Sequence, residues 1–141
     1  MADPHDLQRF VTAQDEGGTY DQALAELRAG RKTSHWMWFV FPQVAGLGQS
    51  PTSRHFAVRS LDEARAYLAH PVLGARLRES AQALLDGGGT DARAVLGGID
   101  ALKLRSSMTL FARAAPEEER FQAVLDRYFG GEPDPETERR L

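Results

Sequence analysis

The chain contains no cysteine. This excludes a disulfide framework, a thiolate nucleophile and any zinc site built on sulfur, and it fits a reducing compartment. Long apolar runs are missing too. The longest, residues 36–42, falls far short of the ~20 residues a membrane-spanning helix needs, so no membrane partner is expected. The opening residues, Met1-Ala2-Asp3-Pro4-His5-Asp6, are acidic and carry no apolar secretion signal, which makes a cytoplasmic location the expectation. No Walker A loop, H-E-x-x-H helix or G-x-S-x-G elbow occurs. The four histidines, His5, His35, His55 and His70, lack metal-ligand spacing, so no metal is expected, and no motif names a cofactor. No helical i, i+4 pair of inward carboxylates suggests glycosidase or di-metal chemistry.

What remains is an ordinary globular balance, with 42% apolar and 26% charged residues over 141 positions. A chain of this length forms one domain, residues 1–141, and buries roughly two-thirds of its unfolded surface. There is no internal repeat. Gly87-Gly88-Gly89 reads as a loop, because neither flank is long enough for a good core.

Helix signals are dense. Leu7, Phe10, Val11 and Gln14 follow helical spacing behind Asp6. Thr19 with Gln22, and Ser60 with Glu63, have the capping-box pattern, and Gly30 is a C-terminal stop. His70-Pro71 separates two helices, with Pro71 suited to the first turn of the second. Leu73, Leu77, Ala81 and Leu84 share a face before Gly87. Thr90 or Asp91 opens a short helix, and Asp100 caps another that carries Leu104, Met108 and Phe111. Pro116 opens one that ends at Gly130, and Asp134-Pro135 starts the last. Only residues 36–41 and 56–58 have strand-like composition. The expectation is an all-α, compact multi-helical domain of about seven helices.

Net charge is −3 with a pI near 5.8, which argues against a general nucleic-acid binder. The charge is unevenly placed. Residues 27–61 hold no Asp or Glu but include Arg28, Arg31, Lys32, Arg54 and Arg59. Residues 101–116 are also free of acids and carry Lys103, Arg105 and Arg113. If the two stretches pack together, they form a positive patch suited to small anions. The plainer alternative is a solvated charged face.

Segment 30–50 gathers the candidate chemistry. Residues 36–41, Trp-Met-Trp-Phe-Val-Phe, are apolar on every side and must be buried or nearly so. Ser34 is a suitable N-cap for a short helix ending before Pro42. On that reading Arg31, Lys32, Ser34 and His35 gather at a helix N-terminus, where free N–H groups favour an anion. Trp36 and Trp38 are candidates to stack a ring, although indoles in such a run more often serve the core. Gln43 follows the run as a further ligand-binding candidate. Gly46-Leu47-Gly48-Gln49-Ser50-Pro51 reads as a flexible loop and not as a dinucleotide fingerprint, because Pro51 takes the last position. On the helix from Asp100, Lys103, Ser106 and Ser107 share a polar face able to hold phosphate. Hydroxyls at Ser106, Ser107 and Thr109 are poor helix formers, and such a local conflict marks either function or close helix packing.

Several strings are shared with known proteins: Asp6-Leu7-Gln8-Arg9-Phe10, Leu27-Arg28-Ala29-Gly30-Arg31-Lys32, Ser34-His35-Trp36-Met37-Trp38-Phe39-Val40-Phe41-Pro42-Gln43, Gly46-Leu47-Gly48, Leu102-Lys103-Leu104-Arg105-Ser106-Ser107-Met108-Thr109-Leu110-Phe111 and Phe129-Gly130-Gly131. They resemble a bacterial family of uncharacterised proteins, mycobacterial members among them, often labelled "calpastatin". The resemblance spans nearly the whole chain. It implies an all-helical globular fold and carries no catalytic role. Calpastatin-like inhibitors are extended, disordered chains, whereas this one has capped helices and a full core, so protease inhibition is not expected.

Two functional readings follow. The first is binding, or binding and processing, of a small anionic ligand such as a nucleotide or phosphorylated metabolite. Arg31, Lys32 and Lys103 hold the anion, Ser34, Ser106 and Ser107 donate hydrogen bonds, and His35 is the candidate general acid or base. The second is a non-enzymatic interaction module whose basic patch meets an acidic partner.

Overall fold

The computed structural model describes residues 3–141. It is all-helical, as the patterning predicts. The elements are α1 (Gln8–Asp15), α2 (Thr19–Ala29), α3 (Met37–Val40), α4 (Pro51–His55) and α5 (Leu61–Ala69), followed by α6 (Leu73–Asp86), α7 (Ala92–Leu96), α8 (Gly98–Ala114), α9 (Glu119–Phe129) and α10 (Pro135–Arg139). A 3-10 turn, Glu16–Gly18, joins α1 to α2. Among the described residues no helix is long and apolar enough to cross a membrane.

The long helix α8 is the axis of the domain. It packs on α5, α7, α9 and α10, while α6 closes the other side against α2, α5 and α9. Sequence spacing marks one apolar stripe on α8, but the helix is buried on more than that face. Leu110 is fully buried alongside Leu104, Met108 and Phe111, and Ser106, Ser107 and Thr109 are buried with them. Each apolar side chain of that set contributes about 1.5–3 kcal/mol by leaving water. Two of the hydroxyls satisfy themselves locally. Ser106 Oγ donates to the Leu102 carbonyl at 3.2 Å and Thr109 Oγ1 to that of Arg105 at 2.8 Å, the one-turn-back bonding open to such residues in a helix. The propensity conflict on α8 thus marks close packing.

Several helix ends differ from the sequence reading. The Asp3 carboxylate supports the start of α1, accepting from the Leu7 and Gln8 N–H groups at 2.8 and 3.0 Å. Thr19 and Gln22 form no capping box. Thr19 Oγ1 donates to the Glu16 carbonyl and Gln22 to Glu26, because Gly18 ends the 3-10 turn in the left-handed region and takes the cap position. Helix α6 starts two residues after Pro71, and His70 Nδ1 accepts from the N–H groups of Val72 and Leu73. Asp100 lies in the first turn of α8 instead of at its cap. Ser60, Asp91 and Asp134 do cap α5, α7 and α10.

The two strand-like stretches form no sheet. The first is helical over Met37–Val40, and the second contributes Val58 to one isolated parallel bridge with Val44, which lies outside both. Its bonds run from the Val58 N–H to the Gln43 carbonyl at 2.9 Å and from the Ala45 N–H to the Val58 carbonyl at 2.7 Å. Residues 46–57, including the short helix α4 that the sequence reading leaves as loop, hang between the bridged ends.

Candidate functional site

The connection out of α2 is organised by a buried acid. Gly30 turns left-handed at φ 77°, and the Arg31 N–H reaches back to the Glu26 carbonyl at 3.0 Å, closing the helix in the Schellman manner. That reversal folds the following residues over the Glu26 side chain. Its Oε1 accepts from the N–H groups of Thr33 at 2.7 Å and Ser34 at 3.0 Å, and from the Trp36 indole at 2.9 Å. Its Oε2 accepts from the Ser34 hydroxyl at 2.5 Å and from Gln22 at 2.9 Å. Burial alone raises a carboxyl's affinity for its proton. Here the donors Ser34, Thr33, Trp36 and Gln22 outweigh it and hold Glu26 far below the ordinary glutamate range. Ser34 is therefore not the cap of the short helix. Helix α3 starts after Trp36, and the Ser34 donors are spent on Glu26. The Trp36 ring is fully buried, so it cannot stack a ligand.

Lys32 and Lys103 do come together, and what holds them is a carboxylate. Lys32 Nζ lies 2.8 Å from Asp100 Oδ2, donates to the Ser34 carbonyl at 2.5 Å and sits 5.1 Å from the Trp36 ring centre. Its side chain is only 8% exposed. Lys103 Nζ is 3.8 Å from Asp100 Oδ1 and 5.0 Å from the Trp38 ring centre. The neutralising acid sits one residue ahead of the acid-free stretch that contains Lys103. Ser106 Oγ is engaged with Asp134 Oδ2 at 3.0 Å, and Ser107 Oγ is buried with no hydrogen-bond partner. Arg31 and His35 are exposed and make no side-chain hydrogen bond or ion pair among the described residues. The ten candidate residues therefore do not converge: eight divide among the Glu26 hub, the Asp100 pair, the α8 interior and open surface.

Two of them, Trp38 and Gln43, line a cleft elsewhere. It holds about 220 Å³ and lies between the end of the aromatic run and the suspended segment that carries α4. Trp38 and Phe56 supply aromatic surface, Gly46 and Gly48 bring backbone close, and Arg54 and Arg59 stand on the rim. Local sequence explains the placement. Pro42 ends the run, the bridge to Val58 turns the chain, and Ser50 with Pro51 starts α4, the Ser50 hydroxyl accepting from the Ser53 N–H at 3.1 Å. Gly46 is required by its φ of 98°, and a Cβ there would meet Arg140 Nε at 2.9 Å. Gly48 packs so tightly on Ser53 that a Cβ would fall 2.4 Å from its Cβ.

Most cations of this chain are matched to acids. Arg54 and Arg59 have no carboxylate within ion-pair distance among the described residues, and Arg54 makes a single 3.4 Å contact to Gln49. No acidic residue lines the cleft. The charge asymmetry of residues 27–61 is the signal that marks these two arginines. The aromatic string draws attention away from them toward the helix end at Arg31. Among the described residues no cluster of three His, Asp or Glu side chains is placed to hold a metal.

These features define an all-helical single-domain protein with an arginine-rimmed aromatic cleft. The chain belongs to the family described as "Protein of unknown function (DUF1810)", whose model matches residues 4–141. It is similar to the conserved hypothetical protein Rv1873 from Mycobacterium tuberculosis. That crystal structure matches with a TM-score of 0.95 at 49% sequence identity, over 99% of this chain and 98% of the other. No curated protein matches the sequence.

Proposed function

We propose that the cleft between Trp38 and Phe56 binds a small anionic ligand that carries a planar ring, the class to which nucleotides and phosphorylated aromatic metabolites belong. The observation that carries this reading is the pair Arg54 and Arg59, both without acids, on the rim of a cleft with aromatic walls. A guanidinium presents its donors in a planar fork that matches phosphate or carboxylate. An indole offers a face on which any ring can stack, and the Gln43 amide can both donate to and accept from a ring edge.

The reading is one of binding. No side chain that titrates near neutrality lines the cleft, so general acid–base chemistry has no candidate within it. His35 is absent from its walls. The alternative, a basic patch that meets an acidic partner, has less to rest on, because Lys32 is nearly buried and both it and Lys103 already face Asp100.

Thermal-shift screening against nucleoside mono- and diphosphates and phosphorylated aromatic metabolites tests the proposal. A ligand that binds only the native state raises its melting temperature by mass action. The shift should vanish in Arg54→Ala/Arg59→Ala and shrink in Trp38→Leu. A hit whose shift is unchanged in both variants binds elsewhere and removes the cleft from consideration.

A further inference from the structure

The cleft is smaller than the ligand class proposed for it. Sites for drug-sized molecules occupy roughly 300–1,000 Å³, and this one holds about 220 Å³. A base fits, but a base with its sugar and phosphates does not. The rest of the ligand must leave across the rim, and the rim has a direction. Arg59 lines the first cleft and also a second, of about 300 Å³.

The second cleft is polar, and a single arginine constructs it. Arg9 on α1 spreads its guanidinium over four backbone carbonyls. It donates to those of His5 at 2.6 Å, Asp6 at 2.8 Å, His55 at 2.8 Å and Ala57 at 2.9 Å. Its remaining partner is Glu63 Oε2 at 2.8 Å. By holding the carbonyls of His5 and His55, Arg9 fixes two histidines from distant parts of the chain on one cavity beside Arg59. Neither imidazole has a hydrogen-bond partner of its own among the described residues.

We infer that the second cleft is the phosphate subsite of the same ligand: a nucleoside diphosphate, or another ring-bearing diphosphate, seats its ring against Trp38 and its terminal phosphate between Arg59, His5 and His55. The inference rests on the reading of the first cleft as a ring site. The charges that face the phosphate position are few. Asp6 opposes it, Ser60 contributes a hydroxyl, and Glu63 is occupied by Arg9 and by the Arg59 N–H at 3.1 Å. Arg9 and Glu63 compensate each other, and Arg59 with the imidazole N–H groups of the two histidines are the donors left for a phosphate.

Calorimetric titration of the full chain with adenosine, guanosine, cytidine and uridine mono- and diphosphates tests this, alongside His5→Gln/His55→Gln. Wild type should bind at least one diphosphate roughly tenfold tighter than its monophosphate, about what an added charge-assisted contact contributes. The double variant should keep monophosphate affinity within about twofold and lose the diphosphate preference. Matching circular dichroism melts for both proteins establish that the fold is intact. If the double variant retains the diphosphate preference, the two-subsite inference is overturned while the ring site stands. If a monophosphate binds through Trp38 and Arg54 and a diphosphate gains nothing, the second subsite is likewise overturned and the ring site kept. If none of the eight nucleotides binds wild type, both readings fail for nucleotides.

Discussion

The Trp36 indole N–H donates to Glu26 across 2.9 Å inside the core, so a fully buried aromatic of the central run is anchored by a buried acid from the preceding helix. Glu26→Ala strips acceptors from two backbone N–H groups, a hydroxyl and the indole. Each buried donor left without a partner costs about 1–3 kcal/mol, so the loss should exceed 3 kcal/mol in denaturant unfolding. Trp36→Phe, which removes one donor and keeps most of the volume, should cost about 1–3 kcal/mol. Equal stabilities for Glu26→Ala and wild type would show that the hub contributes nothing.

The same acid gives a pH signature. The folded state depresses the proton affinity of Glu26, so the unfolded chain binds more protons at low pH. The stabilisation is complete above the unfolded glutamate range, near pH 4.3, and drains away as pH falls through it toward the depressed folded value. Wild type should lose more stability than Glu26→Gln between pH 5 and pH 2. Urea titrations across that interval measure the difference, and parallel curves would refute it.

One tryptophan belongs to the core and the other to the cleft wall. Trp36 is fully buried, and Trp36→Ala should cost about 3–5 kcal/mol. Trp38 is half-buried with a face on the cleft, so Trp38→Ala should cost about 1–2 kcal/mol. Differential scanning calorimetry should place the two melting temperatures well apart. A reversed order would mean that Trp38 is the core residue.

Much of this was legible in the sequence. The apolar spacing of Leu73, Leu77, Ala81 and Leu84 and the caps at Ser60, Asp91 and Asp134 are local signals, and the helices follow them. The aromatic run reads as buried because no period gives it a polar face. What the sequence hides is long-range. Nothing at Glu26 distinguishes it from a surface acid until Gly30 folds residues 33–36 back over it. Asp100 reads as a cap and proves to be the counter-ion of Lys32. Arg54 and Arg59 stand out only as members of a biased stretch, because the cleft they rim exists only once Val44 meets Val58.

Lys32 should depend on Asp100. Asp100→Asn leaves a nearly buried ammonium without its counter-charge, at a cost of about 3 kcal/mol. Lys32→Met added to Asp100→Asn should recover most of it, because the uncompensated charge is gone. A double-mutant cycle reads the coupling, and additive losses would show that the two side chains act independently.

Ser107 should be dispensable. Its hydroxyl is buried in α8 and unpartnered, so Ser107→Ala removes a desolvated polar group at almost no change in volume. Chemical denaturation should find the variant neutral or up to about 1 kcal/mol more stable. A loss above that would show that the hydroxyl has a partner.

The bridge between Val44 and Val58 works as a clasp. Two backbone hydrogen bonds, 2.7 and 2.9 Å long, close the chain on itself where residues 46–57 begin and end. A loop fastened at its base answers to its own sequence, since closing it costs only slowly more as it lengthens. Arg54 and both cleft glycines lie within the clasp, whereas Trp38, Gln43 and Arg59 lie outside it. One half of the cleft wall can therefore change by insertion or replacement while the helical core stays as it is.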